Sequence, residues 1–169
     1  MTITPEIQEI LNLLEKRNDY VIFAGFAGYL HTGIETSADI DVFVPVKEAD
    51  NIAKQMAWKE TKRSVSQNSK IITLEKNKTT FDIVGINKGT EPYFETRVEH
   101  DFNGKKLWIM SKEALLLSKM NQITTINRTD AKTDRDRKVI ALLRSKIDLK
   151  KTRELAAKLS DEFWQKGWF

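Results

Sequence analysis

The 169-residue sequence predicts an α+β protein in which a β-sheet is followed by helices. Short apolar, β-branched runs bounded by glycine or polar turn residues occupy the middle of the chain. Beyond residue 111, apolar side chains instead recur at helical spacing. We therefore expect a sheet-containing core at residues 1–110 and a helical C-terminal region at residues 111–169 that packs on it.

The elements follow from local patterns. Five apolar residues at helical spacing after Thr4-Pro5 predict a first helix: Ile7, Ile10, Leu11, Leu13 and Leu14. Strands are expected at residues 20–24, 40–46, 64–66, 70–74, 81–86, 94–98 and 106–109, with Asn77-Lys78 as a hairpin turn. A turn or short helix is expected at residues 26–33, and further helices at 47–60, 111–120, about 129–146 and about 150–164.

Composition excludes several classes of protein. The absence of Cys removes disulfides, thiol catalysis and Cys-based zinc sites. The longest uncharged stretch, residues 20–34, is shorter than the roughly 20 apolar residues that span a bilayer, which excludes a membrane-spanning protein. Because the N-terminus lacks a basic region and a small-residue cleavage site, we expect a cytoplasmic protein with no membrane partner.

Positive charge is concentrated in the C-terminal third. The net charge is −2 over residues 1–110 and +6 over residues 111–169. Such a cluster can bind phosphates, although a solvated helix surface with interleaved aspartates as local partners is the alternative. The basic residues are Lys119, Arg128, Lys132, Arg135, Arg137, Lys138, Arg144, Lys146, Lys150, Lys151 and Arg153, and the aspartates are Asp130, Asp134, Asp136 and Asp148.

Three aspartates lie in predicted strands. Asp39 and Asp41 are two residues apart, so their side chains point to the same side of a strand. Asp82 lies in a second apolar strand, where a structural role gives no reason for a charge. Three carboxylates on adjacent strands can hold two divalent ions, Mg²⁺ or Mn²⁺, about 4 Å apart for phosphoryl or nucleotidyl transfer. The alternative is a solvent-facing strand end.

Two segments around these residues resemble a known signature. Residues 21–33, VIFAGFAGYLHTG, and residues 36–42, TSADIDV, resemble that of the DNA polymerase β-like nucleotidyltransferase superfamily. This signature is a strand, a Gly-Gly or Gly-Ser turn, roughly ten residues, and Asp-hydrophobic-Asp on the next strand. Within the superfamily, the likeness is greatest to the minimal and AbiEii-like enzymes of prokaryotes. Weaker similarity continues through LLLSKM at residues 115–120 and RDRK at residues 135–138.

The resemblance implies a mixed, mostly antiparallel sheet flanked by helices, and metal-dependent transfer of a nucleoside monophosphate from a donor NTP such as ATP. It implies metal binding and catalysis by Asp39, Asp41 and Asp82, and nucleotide binding by Gly25, Phe26, Ser37 and Lys119. The acceptor would be a hydroxyl of RNA, protein or a small molecule. A partner protein is expected if the chain belongs to a toxin–antitoxin system, as many such enzymes do.

Some residues depart from the signature. Phe26 replaces the second small residue of the turn, Glu35 replaces an arginine, and Val139 replaces a helical acid. These departures leave a second hypothesis, a catalytically impaired relative that binds nucleic acid or protein.

Other motifs have structural alternatives. Gly25 could be a turn or close-packing glycine, and His31 is expected to pack at a helix end. The terminal aromatic residues would dock on the core or recruit a partner: Phe163, Trp164, Trp168 and Phe169.

Overall fold

The computed structural model describes residues 2–37, 39–65, 70–86, 91–124 and 129–159. The aromatic tail, Arg128 and the predicted end of the last helix lie outside these ranges. The helices within them are α1 (Pro5–Glu15), α2 (Ala24–Thr32), α3 (Ala49–Met56), α4 (Glu91–Glu95), α5 (Lys112–Gln122), α6 (Asp130–Arg144) and α7 (Leu149–Leu159), with a 3₁₀ turn at Val46–Glu48. The strands are β1 (Val21–Phe23), β2 (Asp39–Pro45), β3 (Lys59–Val65), β4 (Lys70–Lys76), β5 (Thr79–Ile86), β6 (Val98–Phe102) and β7 (Lys105–Ile109).

The strands form one mixed sheet in the order β3-β4-β5-β2-β1-β7-β6. The β2–β5 and β1–β7 pairs are parallel, and the other neighbouring pairs are antiparallel. Helices flank this sheet and follow it along the chain. The predicted α+β fold with a mostly antiparallel sheet is therefore confirmed.

One face of the central strands is buried. Side chains alternate along β2 and β5, so that Ile40, Val42 and Val44 join Phe81 and Ile83 in the core. Helices α1 and α3 pack against this region. The intervening residues, which include the three aspartates, lie on the opposite, partly exposed face.

The C-terminal helices share the buried core of the sheet. Ser111 caps α5, since its Oγ accepts a hydrogen bond from the Ala114 N–H at 3.2 Å. Buried residues 114–117 of α5 belong to the same apolar cluster as the strands, and α5 contacts α2, α6 and α7. Within the described ranges, no helix has both the length and the apolar character needed to cross a membrane.

The predicted helix at residues 47–60 is too long. Helix α3 ends at Met56, because Ala57 adopts a left-handed conformation with φ 52°, and β3 begins at Lys59. The strand is wholly exposed and highly charged, so the apolar pattern that marks a buried strand is missing.

The predicted strand at residues 94–98 is also wrong. Residues Glu91–Glu95 form α4, in which Pro92 is tolerated because it lies in the first turn. The strand starts only at Val98 and joins β7 through Asn103-Gly104, both with positive φ. The Arg97 guanidinium lies over the Phe94 and Trp108 rings, at 4.1 and 5.0 Å from their centroids.

Candidate functional site

The carboxylates of the signature lie together on the two central strands. The parallel pairing of β2 and β5 places Asp41 directly beside Asp82, and Asp39 beside Thr80. Because the side chains of residues two apart share a face, Asp39, Asp41 and Asp82 all project from the partly exposed face. The register therefore brings three aspartates from two distant segments to one place.

Burial and like charge act strongly on Asp41. Burial, followed by the neighbouring charges of Asp82 and Asp39, raises the pKa of Asp41 to about 7. Lys119 and Lys132 oppose this shift only in part. A divalent cation between the carboxylates would remove the repulsion, as expected of an oxygen-ligand metal site.

Asp82 is oriented by β4. The Thr73 hydroxyl donates a hydrogen bond to Asp82 Oδ1 at 2.6 Å, and the two residues are paired in the antiparallel register. This bond fixes one carboxylate oxygen of Asp82, which also lines the pocket described below. Sequence reasoning did not identify Thr73, because its role depends on strand pairing.

A sharp turn between β1 and α2 borders the carboxylates. Ala24 adopts φ 54°, and α2 starts there without a side-chain cap at Phe23. A Cβ on Gly25 would lie 2.3 Å from Thr36 Oγ1, so an alanine here would force the Thr36 side chain to move. Thr36 Oγ1 is itself buried and has no hydrogen-bond partner within the described ranges.

These groups enclose a pocket of about 200 Å³. Six of the predicted site residues line it: Gly25, Ser37, Asp39, Asp41, Asp82 and Lys119. Sequence reasoning did not select the other five lining residues as individual site residues: Ala24, Thr36, Gln122, Lys132 and Arg135. Arg135 and Lys132 had been identified only as members of the basic run.

The remaining predicted residue, Phe26, does not line the pocket. Its side chain is fully buried in the core, with its ring centroid 5.6 Å from that of Phe102 and 6.2 Å from that of Tyr29. The bulk of Phe26 is therefore directed away from the site. Only its backbone N–H, in the first turn of α2, could contribute to binding there.

A buried ion pair connects α5 and α6 at the pocket. Lys119 Nζ lies 2.8 Å from Asp136 Oδ1, and neither side chain is more than 3% exposed. Lys119 Nζ also donates to Gln122 Oε1 at 3.4 Å. The interpretation of Asp136 as a surface partner of the basic run is therefore wrong, because Asp136 lies on the buried stripe of α6 with Val139 and Ile140.

The basic run divides into two groups. Lys132 and Arg135 face the pocket from α6. Apart from the buried Lys119, the other members that the structure describes are exposed, in agreement with the solvated-surface alternative: Arg137, Lys138, Arg144, Lys146, Lys150, Lys151 and Arg153. Arg137, for example, lies 3.2 Å from Asp134 on the same helix.

His31 is held in the fold and lies outside the pocket lining. Its Nε2–H donates to the Met110 carbonyl at 2.8 Å, and burial lowers its pKa. This bond ties the end of α2 to the junction between β7 and α5, as expected for a packing residue.

The donor chemistry of the carboxylates fits a divalent ion. Asp39, Asp41 and Asp82 offer oxygen ligands, and their mutual repulsion raises the pKa of Asp41. Within the described part of the chain, no three His, Asp or Glu side chains are already drawn together as a closed metal centre.

Only the comparison with solved structures gives similar proteins. No family model matches the sequence, and no curated protein matches it. Among solved structures, the lincosamide antibiotic adenylyltransferase LnuA, determined with lincomycin bound, is 19% identical, with a TM-score of 0.58 over 86% of this chain and 99% of that one.

Two further structures are similar. TM1012 from Thermotoga maritima, a proposed nucleotidyltransferase, is 13% identical, with a TM-score of 0.53 over 69% of this chain and 81% of its own. An antigenic nucleotidyltransferase-like protein from Paracoccidioides brasiliensis is 18% identical, with a TM-score of 0.54 over 92% and 88% of the two chains. These similarities show that the chain has the nucleotidyltransferase fold.

Proposed function

We propose that this protein is a metal-dependent nucleotidyltransferase that moves a nucleoside monophosphate from an NTP to a hydroxyl group. One observation carries the proposal: three carboxylates face two lysines and an arginine across a single pocket beside the start of α2. Carboxylates suit divalent ions, whereas cations and a helix N-terminus suit phosphates. Their juxtaposition is what nucleotidyl transfer requires.

Asp39, Asp41 and Asp82 would hold the metal, Mg²⁺ or Mn²⁺. When bound, the metal neutralises the carboxylates and the phosphate charge and so favours displacement at phosphorus. Asp41 is the central ligand in this assignment, because it is paired with Asp82 across the strands and lies two residues from Asp39 on its own strand.

The triphosphate would lie between the start of α2 and the basic residues of α5 and α6. Ala24, Gly25 and Ser37 line the pocket together with Lys119, Lys132 and Arg135, and their backbone N–H groups, hydroxyl and cationic groups would bind the phosphates. A pocket of 200 Å³ is smaller than a typical small-molecule site of about 300–1,000 Å³. It therefore suits the phosphates, and the nucleoside would extend outside it.

In the reaction, the acceptor oxygen attacks the α-phosphorus. A new oxygen–phosphorus bond forms, the bond to the bridging oxygen of the β-phosphate breaks, and pyrophosphate leaves. Asp82 would accept the hydroxyl proton, because the hydrogen bond from Thr73 holds its carboxylate in one orientation. Lys119 and Arg135 would stabilise the charge that develops on the leaving group.

Several finer assignments stay predictions from sequence. They are the relationship to AbiEii-like enzymes, a toxin–antitoxin context with a partner protein, ATP as the donor, and a cytoplasmic location. The hypothesis of an impaired binding module rested partly on Phe26, whose ring is packed in the core. The pocket therefore keeps room for phosphates despite this departure from the signature.

Isothermal titration of the four NTPs with Mg²⁺ tests the proposal. We expect at least one NTP to bind the wild type, and Asp41→Asn to lose about tenfold or more in affinity because a metal ligand is gone. Asp134→Asn is the matched control, since Asp134 is 63% exposed on α6 and does not line the pocket. Absence of binding by any NTP to the wild type would contradict the proposal.

A further inference from the structure

A buried hydroxyl at the edge of the pocket lacks a hydrogen-bond partner. Thr36 lines the pocket, and its Oγ1 atom is shielded from water. Among the described residues, no donor or acceptor forms a hydrogen bond with this oxygen. A buried polar group without a partner costs free energy, so its presence needs a physical reason. A ligand bound in the pocket would supply the missing partner.

The loop after α2 holds Thr36 in this place. Gly33 ends the helix in a left-handed conformation with φ 76°. The Ile34 N–H then donates to the Thr32 hydroxyl at 3.3 Å, and the Ile34 side chain packs against the core. The chain is therefore anchored as it returns to the start of α2, where Thr36 Oγ1 lies against Gly25.

The start of α2 beside Thr36 presents hydrogen-bond donors. Phe23 precedes the helix, and its side chain forms no capping hydrogen bond, so it leaves the first N–H groups of α2 without a cap. The helix has nine residues, and its dipole places partial positive charge at this end. The Thr36 hydroxyl adds one more donor. An anion satisfies such a set of groups.

The other groups of the pocket identify this anion as the triphosphate. Lys119, Lys132 and Arg135 bring cations to the same lining. Ser37, for which the resemblance implies nucleotide binding, is exposed, so water can satisfy its hydroxyl when no ligand is bound. Water does not reach the Thr36 oxygen. Thr36 is therefore the residue whose hydroxyl gains most from a ligand.

We propose that the Thr36 hydroxyl turns from Gly25 into the pocket when the triphosphate binds, and donates a hydrogen bond to a phosphate oxygen. This proposal rests on the proposed function and adds a residue to its nucleotide site. The turn is a rotation about the Cα–Cβ bond from one staggered conformation to another. The new bond has an ionised acceptor and replaces no existing bond of the hydroxyl within the described ranges.

Thr36→Val tests the hydroxyl, because valine keeps the branched shape of threonine and removes the polar group. We expect the variant to bind an NTP with Mg²⁺ about tenfold more weakly than the wild type. Its midpoint of urea unfolding without ligand should be equal to or higher than that of the wild type, because an unsatisfied buried group is gone. Thr36→Ser keeps the hydroxyl and should bind the NTP within about threefold of the wild type.

Thr96→Val is the matched control. The Thr96 hydroxyl donates to the Pro92 carbonyl at 2.8 Å, and Thr96 lies outside the described lining of the pocket. We expect this variant to unfold at a lower urea concentration, because a hydrogen bond is lost, and to keep the NTP affinity of the wild type. The two valine variants should therefore show opposite patterns. Equal loss of stability and NTP affinity in Thr36→Val would indicate a structural role and overturn the proposal.

Inorganic triphosphate with Mg²⁺ separates this proposal from the proposed function, because it carries the phosphates without a nucleoside. We expect it to bind Thr36→Val about tenfold more weakly than the wild type. The NMR coupling constants of the Thr36 side chain should change at saturation, because the hydroxyl turns.

Each outcome bears on a different claim. Binding of inorganic triphosphate without binding of any NTP would overturn the proposed function alone. NTP binding with equal affinity for the wild type and Thr36→Val would overturn the assignment of Thr36 alone, as would coupling constants that do not change. Failure of the wild type to bind either ligand would overturn both.

Discussion

The carboxyl group of Asp41 experiences burial and two neighbouring acids at once. Its pKa rises from 3.8 to about 7, so the folded protein binds this proton more tightly than the unfolded chain does. The contribution of Asp41 to the free energy of unfolding is therefore largest at low pH, and it is lost as the pH rises from 3.8 toward 7. The loss has an upper bound of about 4 kcal/mol, from about 1.36 kcal/mol per pKa unit.

Asp41→Asn should remove this penalty. In chelator, we expect the variant to be more stable than the wild type at about pH 8, by about 1–3 kcal/mol, and the difference to shrink toward about pH 4. Thermal unfolding at several pH values measures it, with Asp134→Asn as the exposed control. A difference in stability between Asp41→Asn and the wild type that does not change with pH would show that the raised pKa of Asp41 is not its cause.

Lys119 and Asp136 make the second residue-scale prediction. Asp136→Asn leaves the Lys119 ammonium buried without its carboxylate, which should cost about 3–5 kcal/mol in urea unfolding. The double variant Lys119→Met/Asp136→Leu should recover most of that stability, because two similar apolar volumes replace the ions. It should still fail to bind NTP. Full NTP affinity in the double variant would show that Lys119 acts only in packing.

Some of these residues could be recognised from sequence and others could not. The shared side of Asp39 and Asp41 follows from strand periodicity alone. The burial of Asp136 had a usable signal, since it is spaced as a helical neighbour of Val139 and Ile140. Thr36 gave no signal, because its contact with Gly25 arises only when the loop folds back.

At the scale of elements, two glycines of α2 allow a prediction in which one substitution is the control for the other. Gly25→Ala should destabilise the protein by about 1–3 kcal/mol and weaken NTP binding, because the new methyl group collides with Thr36. Gly28→Ala lies on the same helix, and its new methyl group would have ordinary contacts of 3.7 Å with Val139.

Gly28→Ala should therefore be neutral or stabilising, by up to about 1 kcal/mol, since alanine favours helix over glycine. Chemical denaturation and NTP titration of both variants measure the contrast. If Gly25→Ala and Gly28→Ala had the same stability and NTP affinity, the close approach of Gly25 to Thr36 would have no importance for folding or binding.

The predicted ends of helices and strands were wrong where local backbone conformation or strand pairing determines where an element begins or ends. Helix α3 ends because Ala57 turns left-handed, although alanine itself favours a helix. The strand predicted at residues 94–98 lies too early in the chain, because residues 99–101 of β6, Glu-His-Asp, lack the apolar alternation of a buried strand. Its pairing with β7 at the sheet edge stabilises it instead.

At the scale of the whole molecule, the site depends on topology. Asp41 and Asp82 become neighbours only because β5 pairs in parallel with β2, which no local pattern specifies. The resemblance to the nucleotidyltransferase signature implies that the three aspartates act together, and the β2–β5 pairing places Asp41 beside Asp82. The pocket then needs α5 and α6, because Lys119, Lys132 and Arg135 come from beyond residue 110.

This shared core predicts that the described sheet and helices unfold together. Residues of α5 are buried in the same apolar cluster as β2 and β5. Far-UV circular dichroism and tryptophan fluorescence should therefore give coincident denaturation curves, although helices contribute most to the first signal. Two separated transitions would indicate that residues 1–110 and 111–169 are independent units.

The central claim is that the three carboxylates hold a metal that orients a triphosphate at the start of α2. A crystal structure with Mn²⁺ and a non-hydrolysable NTP analogue tests it most directly. We predict an anomalous Mn²⁺ peak between Asp41 and Asp82, with phosphates reaching Gly25 and Lys119. An analogue bound elsewhere, with no peak at the carboxylates, would contradict the account.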